Sequence, residues 1–240
     1  MTYGIILAAG QGSRMKTKEK KQFIKILNKP VLFYSVDKFL SIKNIKKLIV
    51  VINNDKSNAK IFNEILKNYN KEIDAGRLAF VFGGKERYNS VYNALSYLNE
   101  YCNVSTKDKV LIHDSARPNV DIKDIKKLLL CLNKYNAITL AYKLSDSIKL
   151  IKNIDSNIKL VLKSVDRDNF YLISTPQGFS FKLLFDCYQK FLNSKKSVKI
   201  TDDLQIIELF SNNKTYILDS SKLNFKITTK DDLNMIKYII

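Results

Sequence analysis

A short apolar run, Ile5-Ile6-Leu7, leads directly into Ala8-Ala9-Gly10-Gln11-Gly12-Ser13-Arg14-Met15, and Lys21-Gln22 follow a few residues later. A strand that feeds a glycine-bearing loop of small residues is suited to binding phosphate. Gly10 and Gly12 can take positive φ and let backbone approach a ligand, and Ala8 and Ala9 leave no bulky side chain in the way, so successive N–H groups can face an anion. Arg14 and Lys21 add positive charge beside the loop.

Spacing separates the usual owners of such a loop. Met15 stands where G-x-G-x-x-G requires its third glycine, and G-x-x-x-x-G-K-[ST] is absent, so the dinucleotide and P-loop fingerprints are not met. The run L-A-A-G-x-G-x-R-M followed by Lys-Gln resembles the sugar-nucleotide pyrophosphorylase type of nucleotidyltransferase, whose loop wraps a nucleoside triphosphate. The competing reading is a plain glycine-containing turn between a strand and a helix.

The chain has 240 residues, enough for one large α/β domain and short for two; a single domain spanning 1–240 is expected. No stretch approaches the roughly 20 apolar residues of a membrane span, and the first residues lack the pattern of a signal peptide, so a cytoplasmic protein without membrane partners is expected. Cys102, Cys131 and Cys187 are widely spaced, with His113 as their sole possible companion, which argues against a disulfide framework or a zinc site. Lys and Arg total 41 against 23 Asp and Glu, a formal charge of +18. The lysines are spread along the whole chain rather than gathered in a tail, and a generally basic surface that attracts small phosphorylated molecules fits that spread better than nucleic-acid binding does. In a chain so rich in Lys, the five arginines, Arg14, Arg77, Arg87, Arg117 and Arg167, mark places where a planar bidentate fork matters.

Apolar runs alternate with helical patterns. Strands are predicted near Tyr3 to Leu7, Lys47 to Ile52, Leu78 to Phe82, Lys109 to Ile112 and Ala137 to Ala141, and helices near Val31 to Leu40, Asn58 to Tyr69, Ser90 to Leu98 and Ile122 to Leu132. Wholly apolar strands in βαβ alternation predict an α/β fold with a doubly wound, mostly parallel sheet, and ligands at the carboxyl ends of its strands, where the loops after Leu7, Phe82 and Ile112 converge. From about 143 to 174 the rhythm changes to short strand-like pieces, Ser147 to Ile151, Ile158 to Leu162 and Phe170 to Ser174. They predict a projecting β arm with too little core to stand alone, suited to packing against a second subunit. Helices near Phe181 to Leu192 and Asp202 to Phe210 follow, then a strand at Thr215 to Leu218, Phe225 to Thr228, and a last helix to Ile239.

Two further loops carry chemistry. In Gly83-Gly84-Lys85-Glu86-Arg87-Tyr88-Asn89-Ser90-Val91, paired glycines permit close approach of a base or ribose and Ser90 can cap the following helix. Arg87 and Lys85 can hold substrate or shape the loop, while Glu86 and Asn89 suit loop hydrogen bonding. In Ile112-His113-Asp114-Ser115-Ala116-Arg117-Pro118, Asp114 can meet a hydroxyl or Mg²⁺ and Arg117 can reach a phosphate or brace the site. A lone histidine at a strand end, His113, is read as structural.

Together, A-A-G-x-G-S-R-M, K-Q-F, G-G-x-E-R-x-x-S-V, H-D-S-A-R-P, D-S-I-K, V-D-R, T-P-Q-G-F, T-D-D and N-F-K-I-T, in order from Gly4 to Leu233, resemble the 2-C-methyl-D-erythritol 4-phosphate cytidylyltransferase family of the non-mevalonate isoprenoid pathway. The resemblance implies a Rossmann-like nucleotidyltransferase fold that moves a cytidylyl group from CTP to the polyol phosphate with Mg²⁺ or another divalent cation. It implies Arg14 and Lys21 as the catalytic pair. Ala8, Ala9, Gly10, Gly12, Gly84, Lys85, Ser90 and Ser115 would bind CTP. Asp114, Arg117, Ser147, Arg167 and Lys226 would lie on the polyol-phosphate side, with Arg167 contributed across a homodimer through the arm. Three positions depart from the family pattern: Lys20 replaces the usual Pro, Ser147 the usual Thr, and Leu223 stands where an acidic residue often precedes Asn224. The last leaves the metal's protein ligands unassigned. Ribitol-5-phosphate cytidylyltransferase is the sister reading with the same chemistry. A non-catalytic nucleotide- or nucleic-acid-binding protein is the reading from a different class, weakened because the aromatics fall on apolar faces.

Overall fold

The computed structural model describes residues 1–10, 20–54, 59–194 and 198–240. The first strand, β1 (Thr2–Leu7), is followed by a two-residue hairpin, β2 (Lys25–Ile26) and β3 (Lys29–Pro30), and then α1 (Val31–Leu40), β4 (Ile45–Ile52), α2 (Ala59–Asp74), β5 (Leu78–Phe82), α3 (Arg87–Tyr101), β6 (Lys109–Asp114), α4 (Ile122–Cys131) and β7 (Ala137–Lys143). The arm strands β8 (Ile148–Asn153) and β9 (Lys159–Val165) come next, followed by β10 (Tyr171–Ser180), α5 (Phe181–Asn193), α6 (Asp203–Phe210), β11 (Tyr216–Asp219) and α7 (Lys230–Ile236).

Seven strands form one sheet in the order β11-β7-β10-β6-β1-β4-β5. All neighbours run parallel except β10, which is antiparallel to both β6 and β7. Side chains alternate faces along each strand, so each strand supplies two cores. Ile6, Leu48, Val50 and Leu111 pack with Leu32, Phe39 and Leu128 of α1 and α4 on one face. Ile5, Ile49, Val51, Val110 and Ile112 pack with Leu95, Leu184, Tyr188 and Ile207 of α3, α5 and α6 on the other. A smaller cluster of Ile26, Val31, Ile227 and Ile236 docks the C-terminal segment against the β2–β3 hairpin, which brings Lys226 back over the sheet edge.

Several predicted bounds move for local reasons. The helix expected to end at Tyr69 continues to Asp74 through a kink at Tyr69 (φ −128°, ψ 21°), whose hydroxyl donates to Asp37 at 2.6 Å. The helix expected from Ser90 starts at Arg87, because Glu86 is its N-cap and the Asn89 side chain accepts the Glu86 N–H at 3.1 Å; Ser90 is therefore not the cap. Phe225–Thr228 is irregular backbone rather than sheet, and the last helix ends at Ile236 after a start capped by Thr229 and Asp232. Phe170 to Ser174 belongs mainly to β10, which leaves the arm and runs on through the middle of the sheet. Pro176 has no N–H to offer the ladder, and the β7 pairing shifts register between Ile173 and Gln177, where it sits.

The arm is a two-stranded ribbon. Its register shift between Leu150 and Ile151 skips Leu162 and so adds one residue to β9; Ile148 and Leu150 share a face with Lys163 and Val165, and Ile151 shares the other with Val161. Leu150, Ile151, Leu160 and Val161 are 41–54% exposed, an apolar ribbon that the rest of the chain leaves uncovered.

Candidate functional site

Three loops are tied to the strand ends beside them. Ala8 donates its N–H to Val51 at 2.8 Å, Gly83 to Ile52 at 2.8 Å and Ser115 to Leu7 at 3.1 Å. Between them lies a cavity of about 390 Å³ lined by Ala9, Gly10, Lys21, Gln22, Asn53, Gly84, Lys85, Glu86, Arg87, Ser90, Asp114, Ser115, Lys226 and Thr228, among others. Its size falls in the ~300–1,000 Å³ range of small-ligand sites. A second cavity of about 300 Å³ shares Arg87, Asp114 and Lys226 with it and adds Arg117, Thr175, Gln177, Thr201 and Asp202.

Gly83 and Gly84 act here through space rather than through φ. Gly10 is outside the left-handed region, a correction to the expectation of positive φ, and a Cβ built on it meets nothing within 4 Å. A Cβ on Gly84 would stand 2.3 Å from the Asn89 Cβ, and one on Gly83 2.5 Å from that of Ala9. The Gly83-Gly84 loop thus packs too tightly against the first loop and α3 for any side chain. Ser90 fixes it from within α3, accepting the Gly84 N–H at 3.1 Å.

Asp114 is the electrostatic centre. Its carboxylate accepts from Lys226 Nζ at 2.8 Å, with Arg87 Nε and Arg117 Nε each at 3.7 Å. Burial would raise its pKa, but Lys226, Arg87 and Arg117 outweigh burial and hold it well below the usual carboxylate range. The Asp114 backbone N–H donates to Thr175 Oγ1 at 3.0 Å. Thr175 in turn lies 3.0 Å from His113 Nδ1, and His113 Nε2 is 3.1 Å from the Arg117 carbonyl. A carbonyl only accepts, so Nε2 carries the proton and Nδ1 accepts from Thr175. Burial pushes the His113 pKa down to about 4, and the fully buried ring is a neutral strut beneath Asp114, as its position at a strand end predicted.

Arg87 is held from below. Asp203, 0% exposed, receives its guanidinium in two bonds of 2.9 and 2.7 Å, the Tyr188 hydroxyl at 2.6 Å, and donates its own N–H to Gln177 Oε1 at 3.0 Å. Asp202 caps α6 by accepting from Gln205 N at 3.0 Å. The T-D-D and T-P-Q-G-F segments therefore lock Arg87 into place, and Arg87 shapes the loop and flanks Asp114. Arg117 donates to the Asn224 carbonyl at 2.8 Å and braces the returning C-terminal segment. Lys21 donates to the Ile227 carbonyl at 2.9 Å.

Of the residues singled out from sequence, Ala9, Gly10, Lys21, Gly84, Lys85, Ser90, Asp114, Ser115 and Lys226 converge on the larger cavity. Ala8 lies buried behind it and Arg117 faces the smaller one. Ser147 and Arg167 are exposed, in the arm region away from both cavities, with Arg167 donating to the Ser145 carbonyl. Gly12 and Arg14 lie outside the described residues. Gln22, Asn53, Thr175, Gln177 and Thr228 were not assigned from sequence; the polar residue directly after the apolar run Ile49-Val50-Val51-Ile52 was a signal for Asn53. Among the described residues no group of three or more His, Cys, Asp or Glu stands ready to hold a metal ion, and Asp114 is already paired with Lys226.

Fold and cavity together define a nucleotide-binding α/β domain of the nucleotidyltransferase class. The family model described as 2-C-methyl-D-erythritol 4-phosphate cytidylyltransferase matches residues 2–240, and the chain belongs to that family of enzymes. A 2-C-methyl-D-erythritol 4-phosphate cytidylyltransferase of Clostridium kluyveri is 38% identical over 231 residues, covering 96% of this chain and 93% of its own. One of Clostridium botulinum strain Langeland is 36% identical over 229 residues, covering 95% and 93%. The crystal structure of 4-diphosphocytidyl-2C-methyl-D-erythritol synthase from Anaerococcus prevotii superposes with a TM-score of 0.79 at 30% identity, covering 100% of this chain and 95% of that one. The Francisella tularensis 2-C-methyl-D-erythritol 4-phosphate cytidylyltransferase gives 0.76 at 29%, covering 100% and 99%. Among the described residues no helix is long and apolar enough to cross a membrane.

Proposed function

We propose that the chain transfers the cytidylyl group of CTP to 2-C-methyl-D-erythritol 4-phosphate, giving 4-diphosphocytidyl-2-C-methyl-D-erythritol and pyrophosphate in isoprenoid biosynthesis. The observation that carries this reading is the pair of adjoining cavities that share Asp114, Arg87 and Lys226, a shape that suits two anionic substrates meeting at one point. CTP takes the larger cavity, against Ala9, Gly10, Gly84, Lys85, Ser90 and Ser115, with Ala8 behind them; Gly12, outside the described residues, is assigned to the same substrate. The polyol phosphate takes the smaller, with Asp114 accepting from its hydroxyls and Arg117 and Lys226 beside it.

A phosphate oxygen of the polyol phosphate attacks the α-phosphorus of CTP in line. A new P–O bond forms as the bond to the bridging oxygen breaks, and the electron pair leaves with pyrophosphate. No covalent enzyme intermediate is needed, so catalysis rests on positioning and charge neutralisation. Lys21 and Arg14 are assigned to the charge that builds on the α-phosphate and the bridging oxygen. Mg²⁺ or another divalent cation, when bound with the triphosphate, would supply further neutralisation of phosphate charge beside Lys21 and Asp114 of the larger cavity.

The working unit is a cytoplasmic homodimer joined through the arm, in which Ser147 and Arg167 of the partner subunit complete the polyol-phosphate side. The exposed apolar face of the ribbon and the distance of these two residues from their own chain's cavities support this arrangement. Pyrophosphate release, measured with each nucleoside triphosphate and with methylerythritol 4-phosphate or ribitol 5-phosphate in turn, tests the reading. Release with CTP and methylerythritol phosphate is the expected result.

A further inference from the structure

The residue next to Lys21 has a task that neither its side-chain class nor the charge pattern announces. Gln22 is 2% exposed and borders the larger cavity. Its carboxamide nitrogen donates to the Ala8 carbonyl at 2.7 Å and to the Gly10 carbonyl at 3.0 Å. The Gln22 backbone carbonyl accepts the Leu32 N–H at 2.9 Å, and the turn around it closes with Phe23 N donating to the Lys20 carbonyl at 2.9 Å. The carboxamide therefore stands on a pedestal fixed to the first turn of α1.

A loop of alanine and glycine has no side chains to choose its orientation, and it can present either carbonyl oxygens or N–H groups to a ligand. Because a trans peptide is planar, drawing the Ala8 carbonyl onto Gln22 leaves the Ala9 N–H on the opposite side. We infer that Gln22 is a positioning residue for nucleotide binding: it gathers two carbonyl dipoles of the phosphate loop onto itself and so sets that loop in the orientation that accepts an anion, while its backbone fixes the register of Lys21. The inference rests on the nucleotide reading of the larger cavity.

Replacement by Met keeps the length and removes both donors. Replacement by Glu keeps the shape and puts a carboxylate against two carbonyls. For folded Gln22→Met, kcat/KM for CTP should fall by about 10²-fold, the scale of a misplacement of about 1 Å, while the KM for the polyol phosphate stays within about 2-fold. Gln22→Glu should lose more near neutral pH, and its activity relative to wild type should rise on acidification, as a protonated carboxyl regains one donor; a packing role alone would not move that ratio. A folded Met or Glu variant with wild-type kcat/KM for CTP overturns the inference. If neither folds, Gln22→Asn decides, since its shorter carboxamide cannot keep both bonds: wild-type kcat/KM for CTP in that variant overturns it too. Calorimetric Kd for CTP separates this inference from the reaction itself. A wild type that binds CTP without releasing pyrophosphate removes the proposed reaction, and a Kd raised at least about 10-fold in the variants still sustains the role of Gln22, whereas an unchanged Kd ends it.

Discussion

Lys21 and His113 show how differently two titratable residues serve one site. Lys21 reaches the cavity and donates to Ile227, beside the segment that carries Lys226, so its charge is held at the cavity, as the role proposed for it requires. Lys21→Ala should lower kcat by at least about 10²-fold with the fold intact, read from steady-state pyrophosphate release alongside the thermal midpoint. His113 never reaches the cavity. Burial takes its pKa from 6.5 to about 4, so between those values the unfolded chain binds the proton that the folded chain refuses. Stability is therefore fully present above 6.5 and is lost as pH falls toward 4. Urea unfolding at about pH 7 and about pH 5 should show the wild type losing roughly 2 kcal/mol more than His113→Gln. Equal losses would contradict a neutral buried ring. Lys21, Asp114 and Ser90 stood out in the sequence because charged or small residues in the loops beyond apolar strands are conspicuous, whereas Lys226 was marked only by the family resemblance. Gln22, Thr175 and Gln177 were not, since a buried carboxamide or hydroxyl in a loop leaves no periodic trace and its partners are backbone atoms distant in sequence.

The Gly83-Gly84 turn is where element packing sets the site. Apolar strands and an amphipathic helix fixed its place in the sequence, but that its glycines are required by space follows only from α3 beginning at Arg87, which puts the Asn89 Cβ 2.3 Å from where a Gly84 Cβ would stand. Gly84→Ala should force the turn away from Ser90, lower the stability by about 1–3 kcal/mol, the usual cost of overpacking, and raise the KM for CTP more than that for the polyol phosphate; calorimetry and initial rates read both. The strand β10 was the least legible element. Pro176 and Gly178 break a strand pattern, and the segment enters from the arm, so its first half read as arm and its second half as nothing. Only its pairing with β6 and β7 carries Thr175 and Gln177 under Asp114 and Asp203. The irregular Phe225–Thr228 was similarly opaque, because Lys226 is placed by the Ile227 N–H bond to Ala116 at 2.9 Å rather than by a sheet.

At the scale of the whole molecule, βαβ alternation told the winding of the sheet and the edge where ligands gather, and the change of rhythm after Lys143 told the arm. What covers the arm's apolar face lies beyond one chain's pattern. Leu160→Lys with Val161→Lys places charge on both faces of that ribbon; under the proposed dimer, sedimentation should show conversion to monomer, with turnover lost as the partner subunit's Arg167 is withdrawn. A monomeric wild type with full turnover would contradict the arm's role. The central claim is that two adjoining cavities unite CTP and methylerythritol 4-phosphate around Asp114, and the measurement that tests it most directly is pyrophosphate release with Mg²⁺, each triphosphate and each polyol phosphate supplied in turn. Release with CTP and methylerythritol 4-phosphate together is expected; preference for ribitol 5-phosphate, or no release with any pair, would contradict the meeting of these two substrates around Asp114.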